Sequence, residues 1–125
     1  MSQKMIFYCI DTWSTCRKAK AWLSQHNIDF EYRNLIKNPL SEKEIKGLAK
    51  FAGLELSGLI NKKSQVFKKL AVTLTEFDDR GIIQLIEGKP RIVIRPILTE
   101  GKHILFGFKE QNYLDFIEAG ENPLA

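Results

Sequence analysis

Two cysteines, Cys9 and Cys16, bracket the segment Ile10-Asp11-Thr12-Trp13-Ser14-Thr15 close to the start of the chain. Met5 to Cys9 is a short apolar run that reads as a strand, and a turn over Ile10 to Thr12 leads into a helical pattern. Cys16 falls in the opening turn of that helix, where free backbone N–H groups and the helix dipole favour a negative charge. Arg17 and Lys18 follow it directly and add positive charge. Nucleophilic and redox thiols are built in this way, which makes Cys16 the candidate reactive residue. The competing reading is a buried small hydrophobe, since Cys16 shares one helix stripe with Ala19 and Leu23. Cys9, inside the apolar run, reads as core. A Cys9–Cys16 disulfide needs strand and helix in close approach and is not the expected state.

Other chemistries find little support. Cys9, Cys16, His26 and His103 lack zinc-site spacing, so no metal is expected. There is no glycine-rich phosphate loop, serine triad or paired-carboxylate motif. Trp13 is either a recognition aromatic or a plug over the helix start. Arg95 before Pro96 either holds an anion or a partner's carboxylate, or forms a structural salt bridge.

These residues need a scaffold, and 125 residues suffice for one domain with a proper core. Composition is that of a soluble globular protein, with 44% hydrophobic and 27% charged residues. No apolar run approaches the roughly 18 residues of a membrane helix, and no signal-peptide pattern is present, so a cytoplasmic location is expected. Two cysteines do not make a disulfide framework. Charge is uneven: residues 1–70 hold 13 Lys/Arg against 6 Asp/Glu, and residues 71–125 hold 6 against 9. Lys43, Lys46 and Lys50 share one helix face, which reads as a solvated surface rather than one for an acidic partner.

The pattern continues with a helix from about Ser14 to His26, stopped by Asn27, and a strand over Asp29 to Leu35. That β-α-β order makes neighbouring strands parallel. Ser41 and Glu44 form a capping box ahead of a helix carrying Ile45, Leu48, Ala49 and Ala52, with Gly53 as its stop. A short turn over Leu54 to Leu59 follows. Ser64 caps a short helix, and Asp78 or Asp79 begins another that ends at Gly88. Arg91 to Arg95 is expected as a strand ending at Pro96, with a hairpin turn at Thr99-Glu100-Gly101-Lys102 and a return strand from His103 to Phe108. Glu110 to Ala119 closes the chain as a helix with Tyr113, Phe116 and Ile117 inward, leaving residues 120–125 frayed.

This layout resembles the thioredoxin-like arsenate reductase–Spx family across nearly the whole chain. The matching pieces are Ser14-Thr15-Cys16-Arg17-Lys18-Ala19-Lys20-Ala21-Trp22-Leu23, Asn38-Pro39-Leu40-Ser41, Ser64-Gln65-Val66-Phe67-Lys68-Lys69-Leu70, Arg95-Pro96-Ile97 and Gly107-Phe108. The look is nearer to Spx-like members than to true arsenate reductases. The resemblance implies an α/β, thioredoxin-like βαβ…ββα fold: one domain over residues 1–125, a four-stranded mixed sheet, and a helical insert at about 41–88. It also implies a cis Arg95–Pro96 bond facing the thiol.

Departures from the family pattern bear on function. The family's attacking cysteine stands three positions before the place of Cys16, and here that position is Trp13. A two-thiol switch therefore cannot form within Trp13-Ser14-Thr15-Cys16. Of the three arginines that hold the oxyanion, Arg95 matches one. The second falls near Asn61 to Lys63, where Lys63 offers a point charge without arginine's fork. The third falls at about Phe108, which binds no oxyanion. The expectation is at most a weak single-thiol redox activity through Cys16, with glutathione or a protein thiol as co-substrate, no bound cofactor, and no useful arsenate reduction. The other reading is a non-catalytic Spx-like adaptor that binds RNA polymerase or another protein. Gly53 lies near the glycine that the family uses in that contact. Trp13, Arg95, Pro96 and Lys63 are the candidate binding residues, and neither a membrane nor direct nucleic-acid binding is expected.

Overall fold

A computed structural model describes residues 5–10, 13–100 and 103–121. The expected turn residues Asp11 and Thr12, the hairpin residues Gly101 and Lys102, and residues 122–125 lie outside that set. The elements are β1 (Ile6–Cys9), α1 (Ser14–Gln25), β2 (Glu31–Asn34), α2 (Glu42–Ala52), α3 (Gln65–Lys69), α4 (Asp79–Gly88), β3 (Ile97–Glu100), β4 (His103–Phe106) and α5 (Glu110–Glu121). Three 3-10 turns, Leu56–Leu59, Leu74–Glu76 and Pro90–Ile92, punctuate the middle. The chain divides into two compact units, Met1–Asn34 with Arg95–Ala125, and Leu35–Ile94.

The first unit is built on a four-stranded sheet in the order β2-β1-β3-β4. β1 runs parallel to β2 and antiparallel to β3, and β3 pairs antiparallel with β4. As a central strand β1 is buried at Phe7, Tyr8 and Cys9 alike, which is why its sequence is an apolar run and not an alternation. Phe7, Cys9 and Leu98 from the sheet pack with Cys16, Ala19, Trp22 and Leu23 from α1 and with Tyr113 and Phe116 from α5. Asn27 ends α1 in the left-handed conformation at φ 58°, which asparagine tolerates better than most residues.

In the second unit local capping chemistry sets the boundaries. The Ser41 hydroxyl accepts from the Glu44 N–H at 3.2 Å, while the Glu44 carboxylate accepts from the Ser41 N–H at 3.0 Å. Gly53 closes α2 at φ 69°, a backbone region glycine enters without strain. Ser64 caps α3 and Asp78 caps α4, each accepting from the N–H three residues on. α2 and α4 pack on each other and on the Leu56–Leu59 turn, burying Ile45, Leu48, Ala49, Leu59, Ile82, Ile83 and Ile86. Ser41→Ala removes the hydroxyl half of the box, keeping the backbone N–H that Glu44 accepts from, and should cost about 1 kcal/mol in urea unfolding. An unchanged midpoint would show that the hydroxyl cap contributes nothing.

The strand expected at Arg91 to Arg95 is not there. Pro90–Ile92 forms a 3-10 turn and Val93 makes a single antiparallel bridge with Ile60. Backbone partners explain the shift: Asn61 donates to the Ile92 carbonyl at 2.7 Å, and Ile94 donates to the Leu59 carbonyl at 2.8 Å. Those groups are thus satisfied inside the second unit. Pro96 has no N–H to give a ladder, so the sheet strand starts after it, at Ile97. The apolar character of Ile92 and Val93 marked burial correctly, at 0% and 1% exposure, but not strand pairing. At the other end α5 runs to Glu121.

Candidate functional site

Cys16 is the third residue of α1 and only 2% exposed. Trp13 occupies the N-cap position and gives no side-chain hydrogen bond to the helix start; no acidic residue lies in the first turn. The end of the helix therefore keeps its positive character.

The partner of Cys16 is Cys9. The two sulfurs are bonded, the Cα atoms are 5.9 Å apart, and no cysteine is free. This corrects the expectation of a lone Cys16 thiol beside a purely structural Cys9. The family-type pair within Trp13 to Cys16 is indeed missing, yet a pair with a different spacing stands beside it. A signal existed in the sequence: the last residue of a strand and the first turn of the following helix can meet when the connection is short. The two residues are separated by 7 in sequence.

Trp13 is half-buried and packs against the core cluster, with the Arg95 guanidinium carbon 4.9 Å from its ring centroid. That is a cation–π contact, and it favours the plug over the recognition aromatic. Pro96 is fully buried, and the Arg95–Pro96 bond is cis. The structure thus brings Cys16, Trp13, Arg95 and Pro96 into one unit. Lys63 belongs to the second unit, in an exposed turn where its N–H donates to the Asn61 side-chain oxygen at 3.1 Å.

Phe108 stands edge-on to Tyr113 with centroids 4.9 Å apart, and Tyr113 meets Trp22 the same way at 5.7 Å. An aromatic cluster occupies this part of the unit. The Tyr113 hydroxyl donates to the Gly107 carbonyl at 3.0 Å, and burial pushes its ionisation above the ordinary phenol range. A cavity of about 250 Å³ is lined by Ile10, Cys16, Arg17, Lys20 and Tyr32. The Lys20 ammonium sits 4.2 Å above the Tyr32 ring on its wall. Among the described residues no group of three or more His, Cys, Asp or Glu is gathered to hold a metal, and no helix is long and apolar enough to cross a membrane.

A parallel-antiparallel sheet in this order, flanked by α1 and α5 with a cis-proline ahead of β3, defines a thioredoxin-like protein. The ArsC family profile matches residues 8–116, and the chain belongs to that family. It is 36% identical over 104 residues to the global transcriptional regulator Spx of Streptococcus pyogenes serotype M6, covering 83% of this chain and 78% of that protein. Among solved structures it is similar to a putative ArsC family related protein from Bacteroides fragilis, with a TM-score of 0.77, 27% identity and coverage of 92% and 98%. The arsenate reductase of Vibrio cholerae shares the fold at a TM-score of 0.79 and 20% identity, covering 92% of this chain and 98% of that one.

Proposed function

We propose that this protein is a non-catalytic adaptor of the Spx kind, which binds RNA polymerase, and that it does not reduce arsenate. The observation that carries this reading is Trp13: an indole under the Arg95 guanidinium stands where the family's attacking cysteine would be. Phe108, packed on Tyr113, replaces a cationic position with an apolar one. An oxyanion would meet no free nucleophile at Trp13, and the Arg95 guanidinium is stacked on that ring. The similarity to transcriptional regulators, at over a third identity, supports a scaffold role.

The docking face proposed for the polymerase is the C-terminal end of α2. Phe51 and Leu54 are exposed there to 42% and 39%. Between them, a side chain added at Gly53 would meet nothing within 4 Å. Lys46, Lys50 and Lys62 line an adjoining cavity of about 790 Å³ with Leu54, and Glu55 and Asp79 share its wall, so the three lysines against two carboxylates leave a net positive, partly apolar surface.

Purified RNA polymerase should retain the wild-type chain. Phe51→Asp should weaken retention about tenfold, the scale of one lost apolar anchor, while leaving thermal unfolding unchanged. Coupled assays with arsenate, glutathione and glutaredoxin should show only background. Failure of the wild-type chain to be retained by the polymerase, or arsenate turnover that survives purification and vanishes in Cys16→Ser, would overturn the proposal.

A further inference from the structure

We infer that Cys9 and Cys16 form a dithiol–disulfide centre that exchanges with anionic low-molecular-weight thiols of the glutathione type, through the cavity beside Cys16. This goes beyond the adaptor reading and does not depend on it, because the chemistry resides in the first unit and is read by thiol state alone.

Three observations carry the inference. The sulfurs are bonded across the β1–α1 junction, with a Cα separation of 5.9 Å inside the roughly 4.4–6.8 Å that disulfides span. The two residues differ in access: Cys9 is 0% exposed, whereas Cys16, at 2%, forms part of the cavity wall. Among the described residues that wall carries Arg17 and Lys20 beside Ile10 and Tyr32, and no carboxylate. A reagent entering there is selected for negative charge and approaches Cys16 and not Cys9. The uncapped start of α1 adds further positive potential around Cys16.

The exchange follows from this geometry. An entering thiolate attacks the Cys16 sulfur, a new bond forms from Cys16 to the reagent sulfur, and the Cys9–Cys16 bond breaks. Cys9 leaves as a thiolate and takes a proton. A second thiolate then attacks the reagent sulfur of the mixed disulfide, releasing the reagent's disulfide and a Cys16 thiolate, which is protonated in turn. In sum, the protein disulfide and two thiols give two protein thiols and one small-molecule disulfide; the low-molecular-weight disulfide drives the reverse. A Cys9 thiolate in the apolar core is poorly solvated, which favours its return to Cys16 and expulsion of the reagent. Cys9 is thus the resolving residue, and the mixed disulfide should be short-lived in the wild type.

The full chain, equilibrated in buffers of varied reduced-to-oxidised glutathione ratio, acid-quenched and alkylated, reports the thiol state by mass. Both thiols should appear together in one two-electron transition. Oxidised glutathione should leave a stable adduct on Cys16 in Cys9→Ser and none on Cys9 in Cys16→Ser. Reduction by mercaptoethanesulfonate should outpace cysteamine about tenfold at equal thiolate concentration, given two nearby cations. That ratio should fall in Arg17→Gln and Lys20→Gln. Independent titration of the two thiols, adducts forming at Cys9 as readily as at Cys16, or an equal rate for the anionic and cationic reagents would each overturn the assignment. The wild-type titration and the reagent comparison stand even if a cysteine variant fails to fold.

Discussion

Phe7→Ala is expected to lower stability by about 3–5 kcal/mol, the scale of emptying a fully buried aromatic site. Phe7 is 0% exposed at the centre of β1, paired in register with Tyr32 on one side and Leu98 on the other. Its ring meets Phe30 edge-on at 5.8 Å and lies over Tyr32 at 6.1 Å. Neighbours held by backbone ladders on both flanks cannot close in on the vacancy, so the cavity penalty should remain largely unrelieved. A domain of this size has a net stability of roughly 5–15 kcal/mol, so the loss takes a large share of it. Urea unfolding followed by far-UV circular dichroism measures the difference. Val66→Ala, at a site 39% exposed, is the comparison and should move stability by no more than about 0.5 kcal/mol. A Phe7→Ala loss as small as that of Val66→Ala would show that the sheet repacks freely.

Tyr113→Phe is expected to act differently at neutral and alkaline pH. The phenol is fully buried and donates to the Gly107 carbonyl at 3.0 Å. Removing the hydroxyl leaves that carbonyl without this donor and should cost about 1–2 kcal/mol at pH 7. Burial raises the folded-state pKa of Tyr113 above its ordinary value of 10.0. The unfolded chain therefore gives up this proton first as pH rises. The stabilising contribution is whole below about pH 10 and is lost as pH climbs towards the raised folded value, at up to about 1.4 kcal/mol per pH unit. The variant has no such proton to lose. The gap between wild type and variant should accordingly narrow above pH 10 and close near pH 11. Urea midpoints at pH 7, 9, 10.5 and 11 test this, and parallel curves throughout would refute the burial argument.

The sequence by itself determined what depends on a few neighbouring residues. Ser41 with Glu44, Ser64 and Asp78 set helix starts because each cap is a hydrogen bond spanning three residues. Asn27 and Gly53 stop helices through their own backbone freedom, and the stripe of Cys16, Ala19 and Leu23 is buried as its spacing implies. The absence of the family's attacking cysteine at Trp13 was equally legible, since it is a matter of identity at one position.

Tertiary structure alone decided which distant groups meet. Ile92-Val93-Ile94 has the composition of a strand, but its backbone bonds to residues 59–61, and that competition cannot be seen in the segment itself. The same holds for Trp13 beneath Arg95, two residues brought together only when β3 lies against β1. Cys9 and Cys16 are the closest case. Both residue types and their spacing were visible from the start, but bonding required the strand end and the helix start to converge on one point. Periodicity assigns a residue to a face; the choice of partner on that face is made by the packing of β1, β3, α1 and α5 around a shared core.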